Sequence, residues 1–316
     1  MVTRPPLLVL VGPTGVGKTA VAVQLARQVA MEVVGADSRQ VYRGMDIGTG
    51  KPSAEERAAV PHHLIDVVDP DERYHAARFR ADALAAIAAV QGRGRLPVVV
   101  GGTGLYVRAL LRGLAPAPAA DPTLRASLEA FAAEHGAAAL HARLAAAAPE
   151  AARRLHPNDR VRVVRALEVH AAAGAIPKDT GVGDWTGTDG RWRLVIIGLG
   201  RARPALHAAL AERARAMLAR GMMDEVRRLL EAGHEGARPP MDGIGYRQLA
   251  RALRGQMAVE EALRLMIRDT IRYAKRQMTW FQREPEIRWL DVDEAGGVEG
   301  AAEAVLKHIT REGLCE

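Results

Sequence analysis

An eight-residue stretch near the start of the chain has the residue types and the spacing of a phosphate-binding loop. It follows the pattern G-x-x-x-x-G-K-T in Gly12, Pro13, Thr14, Gly15, Val16, Gly17, Lys18 and Thr19. Glycines let the backbone turn its N–H groups towards an anion, and the N-terminus of a following helix adds unpaired donors. Lys18 would add a positive charge at the phosphate oxygens, and the Thr19 hydroxyl would join the ligands of Mg²⁺. The octet predicts phosphate binding but does not name the ligand, because a diphosphate ester fits the same donors as a nucleoside triphosphate.

A carboxylate stands at the end of the second apolar run of the sequence. Asp37 directly follows residues 32–36, and Ser38, Arg39 and Gln40 come next. An aspartate at the carboxyl end of a strand, beside a phosphate loop, is typical of a general base or a metal ligand. The structural alternative is a helix cap for the residues that follow. We favour the functional interpretation.

A second glycine-rich loop follows the fourth apolar run. Residues 96–100 lead into Gly101-Gly102-Thr103-Gly104. Two adjacent glycines allow the backbone to approach a ligand closely, and Thr103 can donate or accept a hydrogen bond there. Alone this loop is a weak signal, since a glycine pair after a buried strand often only relieves crowding.

Strands must position these loops, and six short apolar runs in the sequence predict where those strands lie. The runs are residues 7–11, 32–36, 63–67, 96–100, 194–199 and 287–290. Several are rich in β-branched residues and helical segments lie between them, which predicts an α/β fold with a parallel sheet and helices on both faces. Ligands bind beyond the carboxyl ends of such strands, so we expect the P-loop, Asp37 and Thr103 at one edge of the sheet.

The composition of the sequence changes at Ala115. Residues 115–122 contain three prolines and cannot continue a helix, whereas residues 123–174 are alanine-rich with a helical pattern. Asp121 and Pro122 are typical of a helix cap and first position. We therefore predict a helical insertion at 119–188 within a P-loop α/β domain formed by 1–118 and 189–316.

Five cations recur at helical spacing towards the end of the chain, and we call them the basic stripe. They are Arg264, Arg268, Arg272, Lys275 and Arg276. The only nearby counter-charge that we identify is Asp269, so the stripe is not a lattice of internal salt bridges. A solvated face is the usual explanation of a charge run, but nearly unpaired cations on one face favour a nucleic-acid contact. Trp280 and Phe281 would either stack on bases or belong to the core.

Charge and cysteine content limit the class of protein. The 316 residues carry a formal net charge of +7 with a pI near 10.0, which suggests a polyanionic partner or a base composition that favours arginine codons. Cys315 is the one cysteine, which excludes disulfides within the chain and cysteine-based metal sites. No apolar run reaches the roughly 18 residues of a membrane span. We expect a soluble, cytoplasmic monomer without a membrane partner.

Seven motifs in order resemble those of the bacterial tRNA dimethylallyltransferases. They are GPTGVGKT, DSRQVYRGMDIGTGKP, HHLIDVVDP, GGTGLY, HPNDRVRVVRALEV, GIGYRQ and KRQMTWF, and they extend from Gly12 to about Leu290. The resemblance implies transfer of a dimethylallyl group from dimethylallyl diphosphate to the exocyclic amine of the adenosine 3′ to the anticodon of tRNA, with Mg²⁺. It also implies that the phosphate loop holds the donor's diphosphate and that the insertion clamps the tRNA.

The resemblance assigns roles to individual residues. Asp37 matches the base that receives the amine proton, Thr103 lies against the target nucleotide, and Arg213 meets the diphosphate. Because the expected Arg-Ile before Arg213 is Ala209-Leu210 here, Arg215 stays open as the inward arginine. Gly50 also stands where alanine is commoner. Contacts with tRNA are expected from Asp37, Ser38, Arg39, Gln40, Thr103, Arg125, Arg162, Arg165, Gly245, Tyr246, Arg247, Lys275 and Arg276.

Three other functions use the same phosphate loop. A small-molecule or nucleotide kinase would bind ATP there, but it gives no reason for the basic stripe. A prenyltransferase acting on free adenine nucleotides would not need the insertion. An RNA-binding ATPase switch would bind RNA in a nucleotide-dependent way and leave it unmodified.

Overall fold

One six-stranded parallel sheet, in the order β3-β2-β4-β1-β5-β6, has central strands rich in valine, leucine and isoleucine. The computed structural model describes residues 4–114, 118, 121–174, 176, 190–234 and 240–315. The predicted parallel α/β fold is confirmed. The strands are β1 Pro6–Val11, β2 Met31–Gly35, β3 His62–His63, β4 Leu96–Gly101, β5 Arg193–Gly200 and β6 Arg288–Asp291.

The third strand is shorter than the predicted run at 63–67. Leu64 and Asp66 have φ values of 64° and 57°, in the left-handed region that strands do not use. The chain therefore leaves the sheet after His63, and the Val67 N–H donates to Val41 O at 2.9 Å in the loop after β2. The second half of the predicted run therefore bonds to the loop after β2 and does not extend the strand.

Alternate residues of the central strand face two different cores, as a period of two requires. Leu7 and Val9 of β1 belong to one apolar cluster, with side chains from α3, α4, α10 and α11. Leu8 and Leu10 belong to the other cluster, with side chains from α1 and α12. The helices of these two layers and their neighbours are α1 Lys18–Leu25, α2 Ala54–Ala59, α3 Ala76–Gly92, α4 Gly104–Arg112, α8 Arg203–Ala219, α9 Met222–Glu231, α10 Tyr246–Leu253, α11 Val259–Phe281 and α12 Gly297–Arg311.

The chain divides into two compact units, Met1–Gly113 with Gly187–Glu316, and Leu114–Thr186. The described part of the second unit contains α5 Pro122–Ala147, α6 Pro149–Arg154 and α7 Arg160–Ala173, which pack on one another around Leu140 and Val163. The Asp121 side chain accepts hydrogen bonds from the Thr123 and Leu124 N–H groups, as its cap position predicts. Both boundaries predicted for the insertion, 119 and 188, lie outside the described residues.

Among the described residues, none of the helices combines the length and the apolar character needed to cross a membrane.

Candidate active site

A cavity of about 680 Å³ opens at the carboxyl ends of the central strands in the first unit. The phosphate loop reaches it from β1, Asp37 to Gln40 reach it from β2, and Gly101 and Gly102 reach it from β4. Parallel strands end at the same edge of a sheet, which is why three loops distant in sequence meet here. The predicted juxtaposition of the phosphate loop with Asp37 is confirmed.

The phosphate loop has the backbone geometry that its glycines predict. Gly12, Gly15 and Gly17 have φ values of 142°, 77° and 101°, and α1 begins directly afterwards at Lys18. A side chain at Gly12 would overlap the Leu199 carbonyl on β5, so the strained turn also needs a residue without Cβ. The N–H groups at the start of α1 are thus available to an anion in the cavity.

Lys18 is half-buried and lies over this loop. Its Nζ donates to Gly12 O at 3.0 Å and to Pro13 O at 2.8 Å. Burial lowers the pKa of the Lys18 ammonium to about 8, the Asp37 carboxylate opposes this shift, and the Arg213 guanidinium adds to it. An anion bound in the loop would favour the charged form of Lys18.

Arg213, and not Arg215, points into the cavity. The Arg213 Nη1 donates to Thr14 Oγ1 at 3.4 Å, whereas Arg215 pairs with Glu212 at 3.4 Å and is more than half exposed. Burial lowers the pKa of the Arg213 guanidinium, and the charge of Asp37 partly offsets that effect. Gly50 is explained by the same side chain, because a Cβ at Gly50 would overlap the Arg213 guanidinium.

Asp37 both caps a turn and lines the cavity. Its Oδ1 accepts hydrogen bonds from the Arg39 N–H at 2.8 Å and the Gln40 N–H at 3.3 Å. The helix-cap alternative is wrong, because the next helix begins only at Ala54 and the Asp37 oxygen caps a turn. The turn cap does not replace the functional interpretation, since the same carboxylate acts electrostatically on Lys18 and Arg213 inside the cavity.

Thr103 connects the loop after β4 to the loop after β2. Its Oγ1 accepts a hydrogen bond from the Ser38 N–H at 3.1 Å, and its side chain also bonds Tyr273 on α11. Ser38 and Tyr273 both line the cavity. Burial, followed by the charge of Asp37, raises the pKa of the Tyr273 hydroxyl to about 12, so this phenol stays neutral. No pattern in the sequence marks Tyr273 as part of the site.

A buried carboxylate that sequence reasoning missed holds the loop after β2. Glu225 on α9 accepts hydrogen bonds from the N–H groups of Asp46, Ile47 and Gly48 at 2.7 to 3.0 Å. It also accepts one from the Tyr246 hydroxyl at 2.7 Å. Tyr246 is only 2% exposed and lines the cavity, so it supports this loop, and its contact with tRNA stays a prediction.

The same loop is fixed on its other side by Gln40. The Gln40 Nε2 donates to Gly50 O at 3.0 Å and to Thr49 O at 3.4 Å. Gln40 is thus in the cavity wall as expected from the motif, with its amide directed at the loop backbone. Together with Glu225 it places Gly50 against Arg213.

Two cations of the predicted tRNA set lie at the cavity with carboxylate partners. Arg39 pairs with Asp242 at 3.0 Å, and Arg247 pairs with Asp269 at 2.7 Å. All four side chains belong to the first unit. Gly245, which directly precedes α10, has a φ of 93°, in the left-handed region that favours glycine.

The basic stripe is more paired than the sequence suggested. Arg264 bonds Glu261 one turn earlier, at 2.6 Å, so Asp269 is not the only counter-charge. Asp269 itself accepts Arg268 at 2.9 Å and has Arg272 at 3.9 Å. A glutamate three residues before an arginine is a local signal that predicts such a pair on a helix.

The last two cations of the stripe differ from the others. Within the described part of the chain no ion pair involves Lys275 or Arg276, and the Arg276 guanidinium lies 5.7 Å from the centre of the Tyr273 ring. Phe281 is fully buried in the core, so the base-stacking alternative is wrong for it. Trp280 is half-buried and packs against the same core.

In the helical unit, two of the three predicted tRNA-contacting arginines surround a buried carboxylate. Glu168, whose side chain is 1% exposed, accepts a bidentate pair from Arg125 at 2.7 and 2.6 Å and a further bond from Arg165 at 3.2 Å. Arg162 pairs with Asp159 at 2.8 Å and is more than half exposed. Arg125 and Arg165 therefore stabilise the unit, and Arg162 is the most accessible of the three to a partner.

The cavity contains oxygen ligands suited to a divalent cation. No cluster of three or more histidine, cysteine or carboxylate side chains suited to a metal occurs in the described ranges. The Thr19 hydroxyl and the Asp37 carboxylate nevertheless both line the cavity, beside the phosphate loop. Mg²⁺ commonly takes one or two protein oxygens and completes its shell with phosphate oxygens and water, so this donor set fits it.

Comparisons with known proteins agree with this geometry. The sequence matches the IPP transferase family over residues 40–284 and the isopentenyl transferase family over residues 5–66. It is 46% identical to the tRNA dimethylallyltransferase of Desulforudis audaxviator, over 99% of this chain and 100% of that one.

Solved structures are similar as well. The tRNA isopentenylpyrophosphate transferase of Bacillus halodurans has a TM-score of 0.70 and 38% identity, covering 98% of each chain. A eukaryotic dimethylallyltransferase acting on tRNA has a TM-score of 0.81 and 27% identity, covering 98% of this chain and 79% of that one.

Proposed function

Because this chain belongs to the tRNA dimethylallyltransferase family, we propose that it transfers a dimethylallyl group from dimethylallyl diphosphate to tRNA. The acceptor is the exocyclic amine of the adenosine immediately 3′ to the anticodon. The observation that carries the proposal is the meeting of the phosphate loop, Arg213 and Asp37 in one cavity. Cations for a leaving diphosphate and a carboxylate for a proton are what this reaction requires.

Each residue has a defined part in the transfer. The bond between the dimethylallyl carbon and the diphosphate oxygen breaks, a bond from that carbon to the adenine nitrogen forms, and the amine proton passes to Asp37. The amine is a poor nucleophile because its lone pair is delocalised into the ring, so removal of its proton assists the attack. Lys18, Arg213 and the loop N–H groups stabilise the charge that develops on the diphosphate.

Mg²⁺ is part of the proposal. Thr19 would hold it, and when bound it would neutralise diphosphate charge. The chain's own residues still bind and orient the donor, through the backbone of the phosphate loop and the Lys18 ammonium.

We assign the tRNA-binding surface to both units. In the first unit Arg39, Arg247 and Arg276 line the cavity, and Lys275 precedes Arg276 on α11. In the helical unit Arg162 is exposed. A base in an anticodon loop must be unstacked to reach a sheet edge, and this favours an enzyme with a large RNA-binding surface. We propose a monomer, with the helical unit clamping the tRNA. A nucleotide kinase is not favoured, since the relatives above are named for prenyl transfer.

The function is tested by nucleoside mass spectrometry. Unmodified tRNA incubated with the protein, Mg²⁺ and dimethylallyl diphosphate should yield an adenosine heavier by one dimethylallyl group, at the position 3′ to the anticodon. Omitting the donor, or replacing it with ATP, should give no product. Transfer to free AMP at a rate equal to that with tRNA would instead indicate a nucleotide prenyltransferase.

Neutralising Lys275 or Arg276 should weaken tRNA binding in a salt-dependent way. For Lys275→Gln and Arg276→Gln we expect the slope of log affinity against log salt to fall by about 0.7 to 0.9 for each phosphate that the variant no longer neutralises. Lys307→Gln is the matched control, because this exposed lysine lies on α12, which packs on the opposite face of the sheet. Equal salt slopes of tRNA affinity for all three variants and the wild type would show that Lys275 and Arg276 are solvated surface residues that do not contact phosphates.

A further inference from the structure

A buried glutamine connects the two loops that the reaction must align. Gln277 lies on α11 and is only 6% exposed. Its Oε1 accepts a hydrogen bond from the Thr14 N–H at 2.9 Å, and its Nε2 donates to Gly102 O at 2.8 Å. Thr14 belongs to the phosphate loop and Gly102 to the loop after β4, so a single amide spans both.

The loop after β4 is shaped to receive this amide. A Cβ at Gly102 would overlap the Gln277 amide, so only glycine leaves room for it. The next residue, Thr103, bonds the Ser38 N–H, one position from Asp37. The Gln277 amide therefore binds Gly102, the residue next to Thr103, and Thr103 joins this loop to the segment that contains the proposed base, Asp37.

The other end of the Gln277 amide, its Oε1, is bonded to the phosphate loop, which is proposed to bind the diphosphate. Thr14 donates its N–H to Gln277 and accepts from the Arg213 guanidinium at its hydroxyl. Both polar ends of the buried glutamine are satisfied, and a satisfied buried amide fixes its partners more strictly than an apolar contact does. Movement of Gln277 would displace the two loops relative to each other.

We propose that Gln277 is a positioning residue that sets the distance between the donor diphosphate and the acceptor amine. This role rests on the proposed function. Reacting atoms must approach within about 3 to 3.5 Å, and a displacement of about 1 Å can cost about a hundredfold in rate. Gln277 also lines the cavity, and the role proposed for it is exerted through its hydrogen bonds to Thr14 and Gly102.

The test separates the rate of transfer from binding. Gln277→Met removes both hydrogen bonds at nearly constant volume, and we expect the single-turnover rate at saturating substrates to fall by about a hundredfold. Dissociation constants for inorganic pyrophosphate and for tRNA should change by less than about threefold. Gln91→Met is the control, because the Gln91 amide donates to Pro6 O at 3.1 Å, away from the cavity, and its rate should stay at the wild-type value.

A second variant keeps the test decisive if Gln277→Met does not fold. Gln277→Leu also removes both hydrogen bonds and adds no charge to the cavity, so it should also slow transfer without weakening binding. A wild-type rate in either variant would refute the role. Parallel losses of rate, of both affinities and of melting temperature would show a purely structural glutamine. If the wild type forms no prenylated nucleoside at all, it is the proposed function that fails.

A double-mutant cycle examines the coupling directly. Gly102→Ala should reproduce the loss of rate, because its methyl group displaces the Gln277 amide. In a Gln277→Ala background the same change should cost less than about threefold, since the amide is gone. Equal costs in the two backgrounds would show that Gly102 acts independently of Gln277 and would overturn the proposal.

Discussion

Replacing Lys18 with alanine should reduce turnover with dimethylallyl diphosphate and tRNA by at least about a thousandfold, the upper range for loss of one preorganised charge-stabilising donor. Lys18 is held over the phosphate loop by Gly12 O and Pro13 O. The other lysine in the cavity wall, Lys51, is bound by Asp46 and Asp66, so it does not take the place of Lys18. Lys307→Ala controls for the loss of one positive charge far from the cavity. The measurement is single-turnover formation of the modified nucleoside.

The lowered pKa of Lys18 adds a dependence on pH. Below a pH of about 8 the free protein already carries the Lys18 charge, so its affinity for pyrophosphate should not depend on this group. As the pH rises above about 8, Lys18 loses its proton in the free protein and must take it up again to bind pyrophosphate. The affinity for pyrophosphate should then decrease by up to about tenfold per pH unit. Lys18→Met should remove this decrease, and comparison of the two proteins cancels the titration of pyrophosphate itself.

The outcome that contradicts the donor assignment is transfer of the γ-phosphate of ATP to any acceptor, with loss of that transfer in Lys18→Ala. In the proposed reaction ATP acts at most as a competitor for the phosphate loop. A Lys18→Ala protein that binds pyrophosphate and turns over normally would show that the diphosphate binds elsewhere in the cavity.

Asp37→Asn should lower turnover by about a hundredfold to ten-thousandfold, or roughly 3 to 5 kcal/mol of barrier, as expected for loss of a general base. The structure makes this substitution a clean probe. An asparagine Oδ1 can still accept from the Arg39 and Gln40 N–H groups, so the turn that Asp37 caps should persist. Affinity for tRNA should change by less than about tenfold.

A general base also predicts the pH profile. A required base should give the single-turnover rate of the wild type an acid limb, and Asp37→Asn should lack that limb. Asp37→Asn with a near-normal rate but weakened Mg²⁺ or tRNA binding would make Asp37 a ligand. The amine proton would then leave to water or to the departing diphosphate.

Features encoded in contiguous residues could be predicted from the sequence. The phosphate loop is specified by glycines that tolerate positive φ and by the helix that follows directly. The position of Asp37 follows from the alternation of strands and helices, because a parallel arrangement sends every strand's carboxyl end to one edge. The role of Asp121 as a cap is likewise a local matter of one side chain and the next turn.

Features that depend on partners distant in sequence were decided by tertiary structure. Nothing around Glu225 or Tyr273 marks them, and the KRQMTWF motif includes Gln277 without assigning it a partner. The hydrogen-bond partners of these three residues in the loops of the site lie about 170 to 260 residues away. Arg213 and Arg215 are two positions apart on one helix, and only the packing of α8 against the phosphate loop selects Arg213. Arg125 has the sequence context of a surface cation, but it pairs with the buried Glu168 of α7. Sequence patterns specify where the chain turns and which faces are apolar, whereas the partner of a buried polar group is set by which elements the finished core brings together.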